Sequence, residues 1–212
     1  MAARHYIIMA DIISSRYIKK GEDFMGQFKN LTTQANENFQ RQIVSPLTIT
    51  LGDEFQGIVD SAKTLFQLVF FLEEQRIKAG YTFQLRYSLV YGEIETEINT
   101  KIAYEMYGSG LTKAREALKT AKETGNHYFI DLQGTTDDQL RLCTKLYQSI
   151  KSEWKLSEFE IVAAFLKHKD YKDLKRIGLY KTRSGAWKKG KSLRIEEYNT
   201  IKELIFLILG HG

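Results

Sequence analysis

The chain has 212 residues, 43% of them hydrophobic, with a single cysteine and a net charge of +5. That length suits one medium domain plus a small one. The lone Cys143 excludes an internal disulfide, and with only four scattered histidines it also excludes zinc-finger spacing and a Cys–His nucleophile pair. A reducing cytoplasmic setting is therefore expected, with no signal peptide and no membrane partner, because no leader pattern opens the chain and no apolar run approaches ~18–20 residues.

Residues 4–13 form an apolar run of strand length that ends in Asp11. Residues 22–43 read as a helix, with Phe24, Phe28, Leu31, Ala35, Phe39 and Ile43 on one face. Pro46, the only proline, precedes a pair of strands, 47–51 and 54–60, that turn at Gly52-Asp53. Residues 62–79 are a Leu- and Phe-rich helix closed by Gly80. Residues 82–91 alternate as a strand and turn at Gly92, followed by a helix over 111–124, a short strand over 127–132 and a helix over 137–150. The order β-α-β-β-α-β, then α-β-α, is the split βαβ pattern with an extension. The expected class is α+β: a ferredoxin-like, palm-type domain over residues 1–150.

From Trp154 the pattern becomes all-helical. A capping box, Ser157 with Glu160, opens a helix to about His168. Short helices over 170–177 and 182–189 flank a turn at Gly178, and Ile195–Leu209 is a long last helix. This is helix-turn-helix grammar, and residues 151–212 are expected to form a small all-α domain. Charge is concentrated there: residues 155–212 carry 13 Lys/Arg against 7 Asp/Glu, whereas residues 1–154 carry 18 against 19. A basic tail on a neutral body points to a polyanion partner, and double-stranded DNA is the expectation. The candidate DNA contacts are Lys181, Thr182, Arg183, Ser184, Lys188, Lys189 and Lys191, at and after the start of the third helix. Trp187 is expected in the core.

The crossover helix makes strands 1 and 2 run the same way, so Asp11 and Asp53 reach one edge of the sheet. Two carboxylates there suit Mg²⁺ or Mn²⁺, which take oxygen ligands and bridge phosphate oxygens. The Ile12 carbonyl and the amides of Ile13, Ser14 and Ser15 would hold phosphate, aided by the Ser hydroxyls and Arg16. Arg86, mid-strand, is expected to pair with Glu93 or Glu95.

Ala10-Asp11-Ile12-Ile13-Ser14-Ser15 resembles the first metal motif of class III nucleotide cyclases. Gly52-Asp53-Glu54-Phe55 resembles their second metal motif and the core of the GGDEF motif. Leu85–Ile94 is similar to the cyclase strand that follows, and Tyr107–Arg115 to the helix start that sets an Asn and an Arg against the phosphates. With the C-terminal helices, this series resembles the bacterial SatD family over nearly the whole chain. The resemblance implies metal ligands Asp11 and Asp53, nucleotide contacts that include Glu54, and Arg115 as the phosphate-stabilising residue. It implies a homodimer, since cyclase sites form between two chains. Thr48, Ile49 and Thr50 stand where a base-reading Lys is usual, Ser109 where an Asp is usual, and Leu111 or Thr112 where the Asn would fall. The leading expectation is therefore a regulator that senses a nucleoside triphosphate or another nucleotide with a divalent metal and binds DNA through its tail. A nucleotidyl cyclase or other nucleotidyltransferase and a non-catalytic interaction protein are the alternatives.

Overall fold

A computed structural model describes residues 3–13, 23–50, 52–168, 173–174 and 178–210. Five strands, β1 (Ala3–Ile12), β2 (Ile43–Ile49), β3 (Glu54–Val59), β4 (Leu85–Ile94) and β5 (Tyr128–Asp131), form one sheet in the order β2-β3-β1-β4-β5. β1 is antiparallel to both β3 and β4, and β5 is parallel to β4. The first four strands in their order β2-β3-β1-β4 are the split βαβ unit the sequence pattern implies. Helices α1 (Phe24–Asn38) and α2 (Ala62–Lys78) cover one face, and α3 (Ser109–Thr124) covers the other.

Alternation along β1 divides its residues between these faces. Ile8, Ala10 and Ile12 enter the main core with Phe28, Leu31 and Leu65, while Ile7 and Met9 enter a second cluster with Leu111, Ala114 and Leu118 of α3. Asp11 shares the parity of Ile7 and Met9, so it projects on the α3 side. Pro46 lies inside β2 rather than before it, between register shifts on an edge strand, where no ladder hydrogen bond is missed.

The turn expected at Gly92 does not occur, and β4 runs through it to Ile94. A Cβ at Gly92 would lie 2.5 Å from the Gly110 Cα, and one at Gly110 would lie 2.7–2.9 Å from the backbone of Gly92 and Glu93. These glycines serve close approach of α3 to β4. Gly110→Ala should therefore cost about 1–3 kcal/mol through overpacking against unyielding backbone. A lower urea midpoint at unchanged m-value would check this.

Helices α4 (Asp137–Ser152), α5 (Phe159–Lys167), α6 (Arg183–Ser192) and α7 (Ile195–Gly210) follow among the described residues. The expected boundary at residue 150 falls within α4, and Val162, Phe165, Ala186, Ile195, Tyr198 and Ile205 share one hydrophobic cluster with the sheet domain. Polar contacts reinforce this packing: the Tyr147 and Tyr198 hydroxyls lie 2.9 Å apart, and Trp154 donates to the Leu193 carbonyl at 2.8 Å. Ser157 does not cap α5; a 3-10 turn over Leu156–Glu158 precedes it, and the Glu158 carboxylate accepts from the Lys155 amide. Most of the helix expected over 170–177 lies outside the described residues. Among the described residues, no helix is long and apolar enough to cross a membrane.

Candidate functional site

β1 places Asp11 directly opposite Glu54 of β3 on one side and Arg86 of β4 on the other. Opposite residues of antiparallel strands point to the same face, so the three side chains form a row under α3. The hairpin tip is drawn against this row, because the Ile12 amide donates to the Asp53 carbonyl at 2.9 Å. The Asp53 turn thus lies at the same edge as the Asp11 and Glu54 side chains.

Arg86 is buried and donates from Nη1 to both oxygens of Asp11, at 2.8 and 3.1 Å. Its Nε donates to the Asn126 carbonyl at 3.2 Å. The expected pairing of Arg86 with Glu93 or Glu95 is corrected by this geometry; Glu93 pairs instead with Arg4. Sequence spacing could not reveal the Asp11–Arg86 pair, which depends on the register between β1 and β4. A second correction concerns Ile13, whose amide donates to the Gln84 carbonyl at 2.8 Å and is not available to a phosphate. Ile12 is buried in the main core. Ser14, Ser15 and Arg16 lie outside the described residues.

Burial pushes the Asp11 carboxyl above its usual range, against the opposing pull of Arg86 and Lys122 and with the repulsion of Asp53 adding to it. Burial likewise raises Glu54, opposed by Arg115 and reinforced by Asp11 and Asp53. Arg115, exposed on α3, is the cation that opposes burial at Glu54. Lys122, two helical turns further along α3, was not singled out in the sequence; only the packing of α3 over the sheet brings it near Asp11. Among the described residues, no group of three or more His, Cys, Asp or Glu side chains converges as a metal-ligand set.

His127 sits beside this row, just before β5. Burial, with Lys151 and Arg86 nearby, holds its imidazole down to about 4, and its Nδ1 is buried without a partner. Between pH about 4 and 6.5 the unfolded chain takes up a proton that the folded imidazole refuses, so stability should fall as pH drops through this window. Asp11 and Glu54, raised in the folded state, work the other way as pH falls from their folded values toward the unfolded 3.8 and 4.5. NMR titration of the His127 ring should give a midpoint near 4, and His127→Gln should flatten the stability profile between pH 6.5 and 4.

In the tail, Thr182 caps α6 by accepting from the Gly185 amide at 3.0 Å. Lys181, Arg183, Ser184, Lys188 and Lys191 are exposed. Lys189 is tied to Glu158 at 2.5 Å, and Lys191 pairs with Glu196. Trp187, expected in the core, is 48% exposed on the same outward surface as Lys188. Ala186 and Gly190 take the inward positions instead.

The sequence model of the SatD family matches residues 5–179. The chain belongs to the SatD family. This match begins within β1, covers the rest of the sheet domain of the SatD protein and ends before α6. No curated protein matches the sequence. Similar solved structures include the catalytic core of a rhodopsin-guanylyl cyclase with converted specificity in complex with ATPαS, at 16% identity and a TM-score of 0.42, covering 57% of this chain and 75% of that one. The guanylate cyclase domain from Catenaria anguillulae in complex with GTP has 17% identity and a TM-score of 0.41, covering 55% and 72%. A bacterial light-regulated adenylyl cyclase has 11% identity and a TM-score of 0.44, covering 60% and 43%.

Proposed function

We propose that this SatD protein binds a nucleoside triphosphate with Mg²⁺ or Mn²⁺ at the Asp11–Asp53–Glu54 edge and binds double-stranded DNA through its C-terminal helices. The observation that carries the first part is the meeting of Asp11, Glu54 and the Asp53 turn at one sheet edge facing Arg115. Asp11 and Glu54 pair across that edge beside the Asp53 turn, and burial disfavours the charge on both. Such a set fits a hard cation, which needs only one or two protein carboxylates beside phosphate oxygens. Asp11 and Asp53 would hold the metal, with Glu54 alongside, and the metal would supply positive charge to the phosphates.

The chain's own residues set the rest. Arg86 holds both oxygens of the Asp11 carboxylate through its single Nη1, a charge-assisted contact from inside the sheet that fixes the carboxylate's direction. Arg115, exposed on α3 and acting electrostatically on Glu54, would meet a phosphate. Calorimetry of ATP and GTP binding with Mg²⁺ or Mn²⁺, in the parent and in Asp53→Ala, tests the reading. A turnover assay on the same samples separates a sensor from a nucleotidyltransferase.

Support for DNA binding comes from the exposed cations of α6 beside the capped helix start at Thr182. Lys181, Arg183 and Lys188 would neutralise phosphates, and Thr182 and Ser184 would make base contacts. Lys189, already paired with Glu158, would contribute little. Arg183→Ala and Lys188→Ala should each weaken duplex binding and lower the slope of log K against log salt by about 1, and Lys189→Ala should leave both unchanged. Fluorescence anisotropy over a salt series would check this.

A further inference from the structure

A cavity of about 160 Å³ lies where α2, the start of β4, α4 and the Trp154–Phe159 stretch meet. Arg76 and Lys151 form its inner wall, their side chains only 4% and 3% exposed. Thr82, Gln84 and Leu156 are exposed at its mouth, and Trp154 and Phe159 give it an apolar side.

Charge in this wall is unbalanced. Among the described residues Glu73, fully buried, is the carboxylate between the two cations; it accepts from Arg76 at 3.3 Å and from Lys151 at 2.7 Å. The ring of Phe159 lies 5.4 Å from the Arg76 guanidinium, and the rings of Tyr128 and Tyr147 each lie 5.6 Å from the Lys151 ammonium, which compensates only in part. Donors also exceed acceptors. A guanidinium carries five N–H groups and an ammonium three. The bonds of Arg76 to Glu73 and the Tyr81 carbonyl, and of Lys151 to Glu73 and the Tyr128 hydroxyl, use five of these eight. Gln148, also in the lining, has a buried Oε1 without a partner. Its amide oxygen and nitrogen are interchangeable in assignment, so the same side chain can turn its NH₂ inward as a donor.

We propose that this cavity binds a small oxyanion of the size of inorganic phosphate, held by Arg76, Lys151 and the Gln148 amide. A buried net positive charge is costly, and an oxyanion offsets it through charge-assisted hydrogen bonds. The volume sets the ligand class: nucleotide-sized ligands need pockets of roughly 300 Å³ or more, whereas this one holds about five waters at roughly 30 Å³ each. Three of the nine lining residues, Trp154, Leu156 and Phe159, come from residues 154–159 and the other six from α2, the approach to β4 and α4, so the anion would tie the C-terminal helices to the sheet. Gln84, at the mouth, accepts from the Ile13 amide two residues from Asp11, which sets the cavity close to the carboxylate edge without sharing a side chain with it.

The test is thermal unfolding of the full chain in inorganic phosphate against sodium chloride at matched ionic strength, with calorimetric titration of phosphate. The midpoint should rise with phosphate, by roughly 5–10 °C at a hundredfold excess over Kd. Gln148→Glu places a carboxylate against the two cations and should abolish the phosphate response. Leu156→Trp, at an exposed mouth position, should weaken it, and keeps the test open if the first variant folds poorly. Asp53→Ala should retain the full response, which separates this site from the nucleotide reading. The proposal is overturned if phosphate does no more than chloride, if both cavity variants keep the response, or if Arg183→Ala with Lys188→Ala removes it.

Discussion

Asp53→Ala should lose metal-dependent nucleotide binding, with affinity for ATP or GTP in Mg²⁺ or Mn²⁺ falling about 30-fold or more. Truncating one partner of a partly desolvated charged contact costs about 2–5 kcal/mol, and each 1.4 kcal/mol is about tenfold in affinity. Asp53 is the sharper probe of the pair. Asp11 is the counter-charge of Arg86, whose side chain is only 6% exposed. Asp11→Ala would leave that guanidinium buried without a carboxylate, so lost binding would be mixed with lost stability. Asp11→Asn keeps an acceptor for Arg86 and should lose metal-dependent binding with a smaller stability change. Parent binding that survives removal of divalent metal by a chelator, or Asp53→Ala and Asp11→Asn variants that bind like the parent, would remove the metal–nucleotide reading altogether.

The largest stability effect is expected at Glu73. Its carboxylate is fully buried and accepts from Arg76, Lys151 and the Tyr87 hydroxyl, the last at 3.1 Å. Burial alone would raise the Glu73 carboxyl, but Lys151 and Arg76 outweigh it and hold the group below its usual range. Glu73→Leu leaves two cations buried without a counter-charge and should cost about 3–5 kcal/mol. Against a total stability of about 5–15 kcal/mol, that is enough to lower the melting temperature by ten degrees or more. Glu73→Leu combined with Lys151→Met should recover part of the loss, because the second change removes one stranded charge. If the single variant melts with the parent, the network carries no net stability. Glu73 ionises more readily folded than unfolded, so its contribution is present above the unfolded value of 4.5 and is lost as pH falls through the lower folded value. Glu73→Gln should remove that part of the acid limb.

The elements of the sheet domain were legible because each rests on local pattern. Strand alternation around Ile7–Asp11, the Gly52-Asp53 turn and the helical spacing of Phe24 to Ala35 are properties of short windows, and each reappears in the fold. Boundaries were less legible. Gly92 reads as a turn because glycine is a common turn former, and only the packing of Gly110 against it explains a glycine within a strand. Trp187 reads as core by its size, yet the inward face of α6 is narrow and is filled by Ala186 and Gly190.

The sequence by itself determined the order of elements, the convergence of Asp11 and Asp53 through the crossover between β1 and β2, and the family. Only the tertiary structure decided which charges meet. Arg86 faces Asp11 because β4 pairs with β1 in one register, and a shift of one residue would have turned it to the opposite face. Arg115 and Lys122 reach the carboxylate row because α3 lies across the sheet, and Glu73 finds Lys151 across 78 positions because α2 and α4 pack in one core. Periodicity sets which face of an element a residue occupies, but the partner on that face depends on register and docking, which no short window of sequence contains.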